Sequence, residues 1–170
     1  TFVARTADAD QAHMAQVLKR AAEHKGTAFV EIFQNCIVFN DGAYDAITDK
    51  SLRDDTRLLL EHGKPLIYGK GRDKGVRLRG LEPEAVALGE GGVSEADLVV
   101  HDEAAEHGGL AFFLSQFDAP ALPVPLGVFR AVSAPTYEEM NLQLHADAEA
   151  RKGRGTLAGL FNSGDTWTIE

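Results

Sequence analysis

The sequence predicts an α/β protein, in which a β-α-β unit of a doubly wound sheet is followed by an α+β region. Three observations lead to this class. Strand-like apolar runs flank a segment of helical periodicity near the start, glycines separate short strand-like runs in the middle, and a capped helix lies near the end. With 170 residues, 44% of them hydrophobic and 25% charged, the chain can bury a core of its own.

The β-α-β unit occupies the first forty residues. Residues 2–5 form a short strand, and Asp8 or Asp10 caps a helix that stops at Gly26. Residues 28–33 are almost continuously apolar, which is typical of a strand covered on both faces. Two strands that flank one helix predict a parallel pair with a right-handed crossover. The apolar helix positions are Met14, Val17, Leu18, Ala21 and Ala22.

The middle of the chain predicts shorter elements. We expect a short helix over residues 52–60, before Gly63 and Pro65. Glycine-rich joints predict antiparallel hairpins among three short strands. These strands lie at residues 66–68, 76–78 and 85–88, and are followed by a helix over 110–117 and an extended connector over 120–125.

The last helix has the clearest start signal in the chain. Thr136 follows Pro135 and precedes Glu139 at the spacing of a capping box, and Gly153 ends the helix. We expect its apolar stripe to be buried and a short apolar segment to dock beside it. The stripe is Met140, Leu144 and Ala148, and the segment contains Leu157, Leu160 and Phe161.

Charge and cysteine content narrow the possible partners and location. With 17 Lys and Arg against 26 Asp and Glu, the net charge of −9 disfavours nucleic acid as a partner. The apolar runs are too short to cross a bilayer, so no membrane association is expected. A single cysteine permits no intrachain disulfide, which favours a cytoplasmic protein.

Two polar clusters are better explained by structure than by chemistry. The glycine cluster at 89–94 is flanked by carboxylates that would repel a phosphate, so we interpret it as a tight turn capped by Ser94 with Asp97. His101 and His107 would point in different directions from one helix, and we expect the cluster around His101 to be solvated.

Cys36 is the main candidate site residue. It follows the strand predicted at 28–33, and ligands of open α/β sheets bind outside the carboxyl ends of strands. From the residues alone, the thiol is either a packed small hydrophobe, a nucleophile without an evident base, or one ligand of a metal site that needs further ligands.

Several long blocks carry a family resemblance that extends over essentially the whole chain. The sequence resembles the β subunit of 2-oxoacid:ferredoxin oxidoreductases, most of all the 2-oxoglutarate type. The matching blocks are residues 2–5, 24–36, 60–69, 97–103, 127–132, 135–138 and 163–167.

The resemblance implies an enzyme that decarboxylates a 2-oxoacid on thiamine diphosphate and Mg²⁺. A [4Fe-4S] cluster passes electrons to ferredoxin, coenzyme A takes the acyl group, and an α subunit completes the enzyme. The family's GDGD-type run, its downstream Asn and its C-x-x-C are absent here. The chain is therefore expected to be the C-terminal part of the subunit, inactive and without cofactors when alone. Residues 1–64 would complete a thiamine-diphosphate-binding domain and 65–170 would form the C-terminal region.

The family match also implies a role for Cys36. It aligns with the cysteine that completes the cluster together with three cysteines absent from this chain, although Ile37-Val38 stand where many relatives have Pro-Thr. No catalytic or cofactor-binding residue is carried over. The alternative is a stand-alone, non-catalytic α/β module that binds another protein. An exposed apolar edge strand would favour the first interpretation, because stand-alone proteins cover or charge such edges.

Overall fold

The computed structural model describes residues 1–167 and residue 169. It contains two compact units, residues 1–134 and residues 135–170. The first unit contains both β-sheets, four α-helices and two short 3-10 helices, and the second contains two further α-helices in its described part. The predicted α/β class is confirmed.

A four-stranded mixed sheet is the framework of the first unit. Its strands, in spatial order, are β2 (Ala28–Phe33), β1 (Phe2–Ala7), β7 (Val124–Ala131) and β3 (Arg57–Leu60). The predicted β-α-β unit is confirmed, because β1 and β2 are parallel and α1 (Gln11–Glu23) connects them. β7 runs antiparallel to β1 and parallel to β3.

The two faces of this sheet are covered differently. On one face, Val17 of α1 packs with Phe2, Ala4 and Val128. On the other, α4 (Gly109–Ser115) contributes Leu114 to a larger cluster with Leu58 and Phe129.

β2 is an edge strand of the sheet, and its side chains are not covered on both faces. Phe29 is 63% exposed and Ile32 is half-exposed. The prediction of a fully covered strand is therefore wrong. An apolar run shows that residues suit burial, but it does not show that the same chain supplies the cover.

A three-stranded antiparallel sheet follows, and it confirms the predicted hairpins. It consists of β4 (Ile67–Tyr68), β5 (Lys74–Arg79) and β6 (Glu82–Ala87). Before it lie α2 (Asp45–Thr48) and α3 (Arg53–Thr56).

Two boundaries differ from the sequence-based expectation. The helix expected over residues 52–60 stops at Thr56, because Leu58, Leu59 and Leu60 pair with β7 instead. The connector expected over 120–125 ends earlier, since Val124 and Pro125 already belong to β7. Both errors come from strand pairing between residues far apart in the sequence.

The second unit contains α5 (Tyr137–Lys152) and α6 (Leu157–Phe161). The capping box of α5 is confirmed: Glu139 N donates to Thr136 Oγ1 at 3.2 Å, and Thr136 N donates to Glu139 Oε2 at 3.0 Å. The helix ends at Gly153, as expected. The expected buried stripe is wrong, because Met140, Leu144 and Ala148 are all exposed. Leu157, Leu160 and Phe161 are exposed as well.

The first unit crosses the domain boundary that we expect between residues 64 and 65. β7, which lies after that boundary, pairs with β1 and β3, which lie before it. The division into 1–64 and 65–170 stays a prediction. None of the helices among the described residues has the length and apolar character needed to span a membrane.

Candidate functional site

The candidate site lies at one edge of the four-stranded sheet. β1 and β2 end at this edge, and the antiparallel β7 begins there together with β3. An ion pair crosses the edge: Arg57 Nη1, at the start of β3, lies 3.2 Å from Oδ2 of Asp10, which follows β1. Ligands of open α/β sheets bind outside the carboxyl ends of strands, so this edge is where a site is expected.

Cys36 lies at this edge, three residues after the end of β2, and it is exposed. Its loop is closed at the base by a bond from Asn40 N to Cys36 O at 2.9 Å. Asn35 holds the loop from the preceding position: its Nδ2 donates to Asp41 Oδ1 at 2.9 Å, and its Oδ1 accepts from Gly42 N at 3.0 Å. The position of the thiol is therefore set by hydrogen bonds on both sides of it.

The loop directs backbone N–H groups at the Cys36 sulfur. The N–H of Phe39, and then those of Val38 and Asn40, lower the pKa of the thiol below its usual value. These donors stabilise the thiolate, which is the form that reacts and that binds metals. The N–H of Ile37 is not among them.

An aromatic stack holds the base of the loop against the sheet. Phe33, the last residue of β2, stacks on Tyr44 with ring centroids 4.5 Å apart. The Arg5 guanidinium carbon lies 4.9 Å from the Phe33 ring centroid, and Arg5 Nε donates to Glu31 Oε2 at 2.7 Å. Arg5, Phe33 and Tyr44 also line a cleft of about 600 Å³ beside the loop.

Apolar side chains surround Cys36 without being buried. Ile37, Val38 and Phe39 are 79%, 77% and 90% exposed. Three consecutive exposed apolar residues are unusual at a surface in contact with water, and such patches are typical of interaction sites. The polar loop framework thus presents the thiol within an apolar patch.

The arrangement fits one ligand of a metal centre and no more. Among the described residues, no three His, Cys, Asp or Glu side chains are placed to hold a metal ion together. Cys36 has the lowered pKa, the exposure and the N–H donors to sulfur that suit a cluster thiolate, since hydrogen bonds to sulfur tune cluster potentials. A cluster at Cys36 would need thiolates from outside this chain.

The second polar region is structural, but it is not solvated as expected. His101 is only 1% exposed, and its Nε2 lies 2.8 Å from the carbonyl oxygen of Val128. Because a carbonyl only accepts, Nε2 carries a proton and donates it to Val128 O. Burial lowers the pKa of His101. The expectation of a solvated His101 was wrong, because its neighbours in sequence do not reveal that β7 covers it.

The glycine cluster is a capped turn, as expected. Ser94 N and Ser94 Oγ both donate to Asp97 Oδ2 at 2.8 Å. Ser94 is thus the N-cap of a short 3-10 helix. No phosphate-loop helix follows it.

Sequence reasoning located Cys36 but missed the groups that hold it. Asn35 acts through side-chain bonds to residues six and seven positions later, and the N–H groups of residues 38–40 act through backbone direction, neither of which a residue pattern shows. Asn35 before a cysteine, followed by Asn40-Asp41-Gly42, was the available signal for a hydrogen-bonded loop.

A comparison with characterised proteins identifies a relative. The chain is 34% identical, over 173 aligned positions, to the 2-oxoglutarate oxidoreductase subunit KorB of Mycobacterium tuberculosis. The alignment includes the whole of this chain. The predicted family resemblance is confirmed. The chain spans about half the length of KorB, 46% of it. No protein-family model matches the chain, and no solved structure does.

Proposed function

We propose that this chain forms part of the β subunit of a 2-oxoglutarate-type 2-oxoacid:ferredoxin oxidoreductase, and specifically the C-terminal part. The observation that carries the proposal is the similarity to KorB along the entire chain. The enzyme would decarboxylate a 2-oxoacid oxidatively to an acyl-CoA and reduce ferredoxin.

Within this enzyme, Cys36 would be one thiolate ligand of a [4Fe-4S] cluster. The cluster supplies electron transfer when it is bound. The residues of this chain present the thiolate: Asn35 fixes the loop, and the N–H groups of residues 38–40 stabilise negative charge on sulfur. The apolar patch formed by Ile37, Val38 and Phe39 would lower the local dielectric once it is covered.

The other parts of the catalytic apparatus would come from outside this chain. This chain has no GDGD-type run to bind thiamine diphosphate and Mg²⁺, and it has no cysteine other than Cys36 to supply further thiolates. An α subunit would complete the enzyme. We therefore expect the chain alone to be inactive. We also expect no micromolar binding of thiamine diphosphate with Mg²⁺ when the chain is titrated in a calorimeter.

The exposed apolar edge of β2 favours this proposal over a stand-alone interaction module. Phe29 and Ile32 are exposed on a strand that pairs with β1 on one side and, among the described residues, with no named strand on the other. Stand-alone proteins blunt such edges with charge or proline to avoid aggregation. Further protein packed against β2 would explain the edge.

The test is the activity of the assembly that contains this chain, isolated through an affinity tag at its C-terminus. We expect ferredoxin reduction that depends on both 2-oxoglutarate and coenzyme A, with pyruvate as the comparison substrate. An assembly that reduces no ferredoxin with any 2-oxoacid, yet holds a stable protein partner, would support the interaction module instead.

A further inference from the structure

A basic cleft lies beside β3 and the β4–β5 turn, in a chain whose net charge is −9. Its volume is about 500 Å³, within the range of small-molecule sites. Positive charge gathered in a concave surface concentrates anions there. Five basic side chains line it, against three carboxylates, so positive charge is in excess. The basic residues are Arg53, Arg57, Lys64, Lys70 and Arg72, and the acidic ones are Asp54, Glu61 and Glu95.

Two arginines of the cleft have buried donors without a partner. The Arg57 side chain is 10% exposed, and the Nε atoms of both Arg53 and Arg57 are buried without a hydrogen bond. Asp54 lies 3.7 Å from Arg53 Nε and 3.9 Å from Arg57 Nη2, which is too far for a hydrogen bond. Arg57 Nη1 is already paired with Asp10 Oδ2 at 3.2 Å, so Nε is the donor of Arg57 that lacks a partner. A buried guanidinium donor is costly unless an acceptor reaches it, and an anionic oxygen is the strongest acceptor available.

Three further cations of the cleft are exposed. In the described part of the chain, no carboxylate lies within ion-pair distance of the charged groups of Lys64, Lys70 or Arg72. Lys74, in the same turn, does have a partner, since its Nζ lies 2.8 Å from Asp55 Oδ1. Arg72 also has a φ of +52°, a left-handed conformation that is rare for a residue with a Cβ.

We propose that this cleft binds the phosphate groups of a small phosphorylated molecule. Arg53 and Arg57 would hold phosphate oxygens at the floor of the cleft. Lys64, Lys70 and Arg72 would neutralise charge at its mouth. The cleft is larger than one phosphate ion requires, which favours a diphosphate or a phosphorylated cofactor over inorganic phosphate.

The experiment is calorimetric titration of the chain at low ionic strength with inorganic diphosphate, inorganic phosphate and coenzyme A as separate probes. The variants are Lys64→Gln, Lys70→Gln and Arg72→Gly. The last removes the guanidinium and also relieves the left-handed backbone, so a weaker affinity would not reflect a loss of folding. Lys19→Gln is the matched control, because Lys19 is an exposed residue of α1 that does not line the cleft.

We expect saturable binding that each cleft variant weakens about threefold to tenfold, the effect of losing a charged contact at an exposed site. Lys19→Gln should bind as the unaltered chain does. The assay requires neither a cluster nor ferredoxin, which separates this test from that of the proposed function. Tighter binding of coenzyme A than of diphosphate would assign the cleft to a cofactor, and equal binding would assign it to the phosphate groups alone. No saturable binding of any probe, or equal affinity in cleft variants and control, would overturn the proposal.

Discussion

The two compact units start their helices by the same local rules but differ in what those helices bury. Asp10 accepts from His13 N at 3.2 Å at the start of α1, and Thr136 accepts from Glu139 N at the same distance at the start of α5. α1 buries Val17 in the core of the first unit. No residue of α5 is buried. Capping residues are sufficient to place the start of a helix, but a buried face requires a second surface.

The largest expected difference between the units is their response to loss of a leucine side chain. Leu126 is fully buried on β7, an interior strand of the four-stranded sheet, so Leu126→Ala should lower the free energy of unfolding by about 3 kcal/mol. Leu144→Ala in α5 should change it by less than about 0.5 kcal/mol, because Leu144 is exposed. Urea unfolding followed by circular dichroism measures both. Similar shifts for the two variants would show that α5 is packed.

A buried histidine should make the first unit sensitive to acid. Burial lowers the pKa of His101 below the ordinary histidine value of 6.5, so the unfolded chain binds a proton that the folded chain does not. Stability is therefore complete above about pH 6.5 and falls below it, by at most about 1.4 kcal/mol per pH unit for this proton. His13 contributes in the same direction, since burial lowers its pKa too.

His101→Gln isolates the contribution of His101, since it removes the titration and keeps a side-chain N–H donor near Val128 O. Its free energy of unfolding should fall less than that of the unaltered chain between about pH 7 and about pH 5, a range that spans the ordinary pKa of histidine. The matched control is His145→Gln, which replaces a histidine of the exposed helix α5 and keeps the buried His101 ring in place. Equal pH dependence in the unaltered chain and His101→Gln would contradict the burial of a neutral ring.

The smallest expected effect concerns the cap of α5. Thr136→Ala should destabilise this helix by about 1 kcal/mol, while Thr136→Ser, which keeps the hydroxyl, should not. Amide hydrogen exchange measures the change within α5 and reports the first unit at the same time. Because α5 buries no residue, exchange in the first unit should stay the same. Faster exchange in both units would show that the helix stabilises the whole chain.

The features that the sequence predicted correctly depend on residues close together along the chain. The parallel pair of β1 and β2, the capping box at Thr136 and the capped turn at Ser94 all belong to this group. The errors depend on distant residues. Leu58–Leu60 form a strand because they pair with β7. His101 is held in the interior by a hydrogen bond to Val128, which also belongs to β7.

The features of the candidate site also fall into those that the sequence predicted and those that it did not. The strand that precedes Cys36 was visible in the residue pattern, and so was the place of the thiol at the carboxyl edge of the sheet. The effect of the backbone N–H groups of residues 38–40 on the pKa of the thiol was not visible, because it depends on backbone direction. The basic cleft was also hidden. Its five cations come from three separate stretches between residues 53 and 72, which the fold brings together.

The most direct test of the central claim is electron paramagnetic resonance of the reduced, assembled enzyme with Cys36→Ser. A serine oxygen is a poorer ligand for a [4Fe-4S] cluster than a thiolate. We expect the cluster signal to be altered or lost and ferredoxin reduction to fall sharply, while thiamine diphosphate still binds. Urea unfolding of the isolated chain serves as the control, and Cys36→Ser should leave its midpoint nearly unchanged because Cys36 is exposed. An unchanged cluster signal together with normal ferredoxin turnover would contradict the assignment of Cys36.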